Sequence, residues 1–187
     1  MYRLCKTEQS SVRQRQLEMG LLQAMKSRRY EQISVSDLCE RLGISRKSFY
    51  RYFSSKDGAL CALIDHTLLE FYAGAEGFSN SRQGTARGDL DRFFRFWYEH
   101  RELMDALRRS GLSWMLIERA AALAQKEQLM PGYIRKWTAD VQPMAMSFAV
   151  CGLLYMVIQW HSEGYRIGPA EMARAAAVML TQPLVPQ

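Results

Sequence analysis

Between Ser34 and Lys56 the chain reads S-V-S-D-L-C-E-R-L-G-I-S-R-K-S-F-Y-R-Y-F-S-S-K. The side chains with chemistry to offer are Arg46, Lys47, Tyr50 and Arg51, flanked by Ser48 and Tyr52. Guanidinium, ammonium and phenol groups on one short segment are suited to anion binding. They form charge-assisted bonds to phosphate oxygens, and arginine or lysine can also pair with the acceptors on a guanine edge. Ser34, Ser36 and Ser45 place hydroxyls at two points where helices would begin, and Lys56 places an ammonium at a third.

Two short helices and a turn must position these groups. Ser34 caps the first, with Asp37 three residues later as a looser capping box. Val35, Leu38, Cys39 and Leu42 then fall at i, i+3, i+4 and i+7, one apolar face. Gly43 follows where a left-handed residue ends a helix without steric cost, Ile44 plugs the corner, and Ser45 caps the next helix. Phe49 and Phe53, at i and i+4, face inward together. Arg46, Lys47, Tyr50 and Arg51 are thereby left on the outer side, the layout of a helix-turn-helix whose second helix enters a DNA major groove. A solvated basic helix beside a neighbour is the plainer alternative, but it does not explain why turn, caps, core pair and charged face all agree.

The location of the charge supports an anionic partner. Residues 1–60 hold 12 Lys/Arg against 6 Asp/Glu, while residues 61–187 hold 13 of each, so the whole formal excess of +6 lies in the first third. That asymmetry predicts a polyanion-facing end and an electrically neutral body. With 187 residues and 48% hydrophobic composition, the chain can bury a core in one or two small domains. Cys5, Cys39, Cys61 and Cys151 show no C-x-x-C spacing and read as ordinary thiols of a reducing compartment. The N-terminus shows no signal-peptide pattern, so a cytoplasmic location is expected.

The run I-S-V-S-D-L-C-E-R-L-G-I-S-R-K-S-F-Y-R-Y-F-S-S-K-D-G-A-L resembles the N-terminal DNA-binding domain of the TetR family of bacterial transcriptional regulators. That family's pattern runs roughly T-v-x-d-I-A-x-x-A-G-v-s-x-x-t-l-Y-x-h-F-x-s-K-e-x-L. Val35, Asp37, Gly43, Ser45, Tyr50, Phe53, Ser55, Lys56 and Leu60 match it. Phe49 replaces a leucine, Tyr52 a histidine and Cys39 an alanine, and Gly58-Ala59 replaces a more helix-favouring pair. The motif covers about residues 12 to 65; the remainder is similar only in length and helical character.

The resemblance implies an all-α fold of about nine helices. Residues 1–55 would form the helix-turn-helix domain, with 1–10 as a flexible arm, and 56–187 a helical dimerisation and effector-binding domain. A first helix from about Ser11 to Arg28, capped by Ser11 and Gln14, would place Leu17, Leu21 and Met25 inward, with Tyr30 and Ile33 closing the unit. Ser34, Ser36, Ser45, Arg46, Lys47, Ser48, Tyr50, Arg51 and Tyr52 would meet a double-stranded DNA operator. Lys56 would hold a phosphate, helped by the positive end of the fourth helix.

Downstream, helical patterns dominate: Lys56 to about Phe78, Asp89 to Arg109 as one or two helices, and Ser113 to Met130, stopped by Pro131-Gly132. Ser79 to Gly88 is the clearest loop. Val141 to Ser162 contains no charged residue and approaches the length of a membrane span. Pro143, Ser147, Gly152 and Gln159 interrupt it and an amphipathic helix follows, so burial between its own domain and a partner is expected instead of a membrane. By resemblance, residues 143–163 and 169–181 would form a four-helix interface between two copies of the chain.

The family also commonly holds a small effector in the C-terminal domain. Phe93, Trp97, His100, Trp114, Trp137 and Tyr155 are the candidates to line such a site, and their character suits an apolar or aromatic compound. Enzyme chemistry finds no support. There is no phosphate-binding Gly-rich loop, no H-E-x-x-H and no G-x-S-x-G, and His66, His100 and His161 lack metal-ligand spacing, so neither cofactor nor metal is expected. A helical protein-interaction adaptor would explain the apolar C-terminal helices but not the grouped cations of residues 46–56.

Overall fold

The computed structural model describes residues 8–74, 86–126 and 138–181. Among these residues there are nine α-helices and no β-strand: α1 Glu8–Met25, α2 Val35–Arg41, α3 Arg46–Tyr52, α4 Lys56–Ala73, α5 Ala86–Glu99, α6 Arg101–Arg109, α7 Ser113–Lys126, α8 Gln142–Ser162 and α9 Pro169–Thr181. A 3-10 turn, Tyr30–Gln32, precedes α2. The chain divides into two compact units, one of Met1–Leu68 with Glu102–Arg119, the other of Leu69–Arg101 with Ala120–Gln187.

In the first unit most of the expected inward residues are buried: Leu17, Leu21 and Met25 of α1, Tyr30 and Ile33 of the turn, Leu38 and Cys39 of α2, and Phe49 and Phe53, whereas Val35, Leu42 and Ile44 are half-buried. Gly20 admits Leu42 to the side of α1, since a Cβ there would lie 2.7 Å from Leu42 Cδ1. The start of α1 differs from expectation. The helix begins at Glu8, and the Ser11 hydroxyl donates back to the Glu8 carbonyl at 2.7 Å instead of capping. A serine inside a helical turn makes this local bond readily.

Polar ties extend the first unit beyond residue 55. Lys26 pairs with Glu102 at 2.7 Å, Arg109 donates to the Lys26 carbonyl, and the Tyr30 amide donates to Ser110 Oγ at 3.0 Å. Asp65, nearly buried on α4, takes both ends of the Arg119 guanidinium, with Nε at 2.7 Å. The fully buried Glu18 carboxylate accepts from His66 Nδ1 at 2.9 Å and Arg15 Nη1 at 3.1 Å. Buried carboxylates persist only with such partners. The helix-turn-helix therefore shares its compact unit with most of α4 and with residues 102–119.

In the second unit, α5 and α9 make the most extensive helix–helix contact among the described residues. Ala173 and Ala176 are buried on α9, where small side chains let two helices approach closely. Phe94 and Trp160 meet edge to face at 5.9 Å, and the Trp160 indole donates to the Ile167 carbonyl at 3.0 Å. Helix α8 turns out through Gly164 and Tyr165, both at positive φ, the Tyr165 amide donating to the Trp160 carbonyl at 3.0 Å.

Helix α8 is not buried all round within this chain. Met146, Ala149, Leu154, Val157, Trp160 and His161 face inward, whereas Met144 and Phe148 are 71% and 70% exposed. By length and composition alone this helix could also cross a bilayer. Of the expected 79–88 loop, residues 79–85 lie outside the described residues and 86–88 already belong to α5; Pro131-Gly132, Tyr133 and Trp137 also lie outside the described residues.

Candidate nucleic-acid interface

Helix α2 starts on a complete capping box. Ser34 has extended backbone; its Oγ accepts from the Asp37 amide at 3.1 Å, and the Asp37 carboxylate accepts from the Ser34 amide at 3.0 Å. These bonds hold the Asp37 carboxyl below the usual carboxylate range, with Arg28 helping. Because the folded value is depressed, this stabilisation is present above the ordinary range and is lost as pH falls through the folded-state value. The protection factor of the Ser34 amide, corrected for the intrinsic exchange rate, should accordingly fall in acid. Ser34→Ala should cost about 1 kcal/mol, read by denaturant unfolding, and an unchanged midpoint would remove the cap from this account.

The turn follows from Gly43, whose φ of +62° suits glycine, and from the Ile44 amide donating to the Cys39 carbonyl at 2.9 Å. Ser45 then caps α3, its Oγ accepting from the Ser48 amide at 3.1 Å and lying 3.0 Å from Ser48 Oγ. Phe49 and Phe53 anchor the inner side with ring centroids 5.4 Å apart. Arg46, Lys47, Tyr50 and Arg51 are exposed on the other side; Ser48 and Tyr52 are half-buried flanks. The Arg46 guanidinium lies 5.9 Å from the centre of the Tyr50 ring. Ser34 and Ser36 are exposed at the start of α2. The structure thus brings together on one short helix the cations and the phenol that the sequence grouped there.

Lys56 is held within its own unit. Its Nζ donates to the Tyr30 and Ile33 carbonyls, both at 2.6 Å, and sits 4.0 Å from the centre of the Tyr30 ring. The ammonium is turned into its own unit, because two carbonyls and a ring face lie within its reach.

The effector candidates separate. Phe93, Trp97 and His100 belong to one aromatic cluster in the second unit, with Phe93 and Trp97 centroids 6.4 Å apart and Phe96 stacked on His100 at 4.0 Å. Trp97 is fully buried, and its indole nitrogen has no hydrogen-bond partner among the described residues. His100 Nδ1 lies 2.9 Å from the Phe96 carbonyl oxygen. Trp114 and Tyr155 are not part of this cluster: they are 57% and 55% exposed, and Trp114 falls in the first unit. Their helical phase points them outward, which residue type alone does not reveal. Trp137 lies outside the described residues. No group of three or more His, Cys, Asp or Glu able to hold a metal occurs among the described residues.

The described residues are all-α, and their capped helix-turn-helix presents basic residues in the layout that helix-turn-helix folds use against DNA. Residues 22–62 match the family model described as bacterial regulatory proteins, tetR family. The chain is 29% identical over 119 residues to the HTH-type transcriptional regulator EthR of Mycolicibacterium smegmatis, covering 62% of this chain and 51% of that protein. It is 29% identical over 112 residues to EthR of Mycobacterium tuberculosis, covering 57% and 48%. The chain spans about half the length of the curated relatives it matches.

Solved structures share the fold over nearly the whole chain. The fatty acid degradation regulator FadR from Bacillus halodurans aligns with a TM-score of 0.61 at 13% identity, covering 97% of this chain and 98% of that one. The TetR family repressor AlkX from Dietzia sp. aligns with a TM-score of 0.55 at 20% identity, covering 88% and 90%. The likeness to the tetR family of bacterial regulatory proteins thus rests on residues 22–62, and the likeness of fold extends over most of the chain.

Proposed function

We propose that this chain is a sequence-specific DNA-binding repressor that works as a homodimer in the cytoplasm. The observation that carries this reading is the outward set Arg46, Lys47, Tyr50 and Arg51 on a helix whose other side is fixed by Phe49 and Phe53. Residues early in such a helix are best placed to reach base edges, and the cations and tyrosines further along to hold phosphate oxygens. Ser34, Ser36, Ser45, Ser48 and Tyr52 complete the surface. Nothing in this arrangement calls for catalysis. Repression is the reading favoured for the sign of control, although similar structures include both a repressor and the dihydroxyacetone kinase operon activator DhaS.

The dimer would form through residues 143–163 and 169–181. Its support is the open apolar surface: Met144, Phe148 and Tyr155 on α8, and Val178, Met179 and Leu180 on α9, are all exposed. Pairing would set two recognition helices about 34–36 Å apart, one DNA turn, on a pseudo-palindromic operator. A second copy accounts for this apolar face better than a membrane does, because α8 carries the buried His161 and packs its other side within the chain. Phe148→Glu should yield a monomer by sedimentation and weaken operator binding by about 10²- to 10⁴-fold, since the second half-site is no longer linked to the first. A variant that stays dimeric would remove this interface from the proposal.

An apolar or aromatic effector is proposed to act through the cluster of Phe93, Trp97 and His100. It must bind the DNA-incompetent state more tightly, because only differential affinity shifts a population. A hydrogen-bond acceptor on the compound would suit the Trp97 indole nitrogen. Footprinting on the operator, with and without candidate compounds, tests both the paired half-sites and release by effector.

A further inference from the structure

We infer that Lys56 is a positioning residue for DNA recognition and not a phosphate contact: its ammonium fastens the turn that leads into α2 onto the start of α4. The inference rests on the DNA-binding reading above and concerns how the recognition surface is held. An ammonium has three donors and no acceptor. Here the Tyr30 and Ile33 carbonyls take two of them at 2.6 Å each, and the Tyr30 ring face, 4.0 Å away, receives the remaining charge. Ile33 is followed directly by Ser34, the cap of α2. Lys56 therefore holds the last carbonyl before the helix-turn-helix begins.

The other end of this knot is equally tied. Tyr30 is buried, its amide donates to Ser110 Oγ at 3.0 Å, and its phenol donates to Asp57, the neighbour of Lys56. The Ile33 amide closes the turn on the Tyr30 carbonyl at 3.1 Å. Helix polarity makes the arrangement informative. A cation in the first turn of a helix faces the positive end of the dipole, so Lys56 at the head of α4 needs a local offset. The two carbonyls and the Asp57 carboxylate beside it supply one. To reach a phosphate, the ammonium would have to give up the ring face or one of the two carbonyls.

Salt dependence separates positioning from contact, because each neutralised phosphate contributes about −0.9 to the slope of log K against log salt. The probe is a duplex enriched from random DNA by the wild-type protein. Lys56→Met should bind it at least tenfold more weakly with an unchanged slope, while Lys47→Met, removing a cation from the outer face of each protomer, should make the slope of the dimer shallower by about 2. Lys56→Arg should not restore full affinity, since a longer, planar guanidinium does not reproduce a compact ammonium held between two carbonyls and a ring face. In the free proteins, amide exchange across Ile33 to Leu38 should accelerate in Lys56→Met and Lys56→Arg.

A shallower slope for Lys56→Met, or full affinity in Lys56→Arg, would overturn the inference. So would unchanged exchange across Ile33 to Leu38. If Lys56→Met fails to fold, Lys56→Arg decides by affinity and exchange. Wild-type protein that enriches no duplex would instead sink the regulator reading, and the exchange comparison would still decide whether Lys56 holds the turn.

Discussion

Phe49→Ala is expected to destabilise the first unit by about 3–5 kcal/mol, the range for emptying a fully packed phenylalanine site. Phe49 is 1% exposed, with Phe53 at 5.4 Å and Tyr50 edge to face at 5.6 Å. Helix α3 has seven residues, too few to hold a cavity open or to persist without its anchor. Tyr50→Ala, one position on, should behave in the opposite way. Tyr50 is 45% exposed, so its removal should shift stability by no more than about 0.5 kcal/mol while weakening DNA binding. Lys47→Ala should follow Tyr50→Ala. Denaturant unfolding and DNA titration of the three variants check the pattern. Equal stability losses at positions 49 and 50 would mean that the faces of α3 are wrongly assigned.

The second large effect is on salt. Arg46, Lys47 and Arg51 in each of two protomers would bring six cations to the DNA. If all six neutralise phosphates, the slope of log K against log salt is about −5, and affinity falls by about 10³-fold between 50 and 200 mM. The confinement of the charge excess to residues 1–60 concentrates this effect on the recognition end, since residues 61–187 are balanced. A shallow titration would indicate that the cations of α3 stay solvated in the complex.

What was legible in the sequence follows from the range of the interactions involved. The caps at Ser34 and Ser45, the stop at Gly43 and the inward pair Phe49 and Phe53 depend on neighbours within a few residues, so spacing reveals them. The contacts of Lys56 could not be read locally, because the carbonyls it meets lie 26 and 23 residues upstream and nothing nearby marks them as acceptors. Gly20 reads as a weak helix residue until Leu42 is placed beside it. Residues 102–119 join the first unit through Ser110 and Arg119, whose partners are 80 and 54 positions away.

The effector candidates show the same limit from another side. Aromatic type does not give helical phase, so Trp97 was buried among rings while Trp114 and Tyr155 point outward. The uncharged run of α8 reads as buried between its own domain and a partner, and composition alone does not tell that the face with Met144 and Phe148 is the one left open within the chain.

The central claim is most directly tested by mixing purified protein with sheared genomic DNA at moderate salt and sequencing the fragments it retains. This account predicts a short inverted repeat whose half-site centres lie one helical turn apart, lost when Tyr50→Ala is used instead. Folded protein that enriches no common sequence, or a repeat retained equally by Tyr50→Ala, would contradict it.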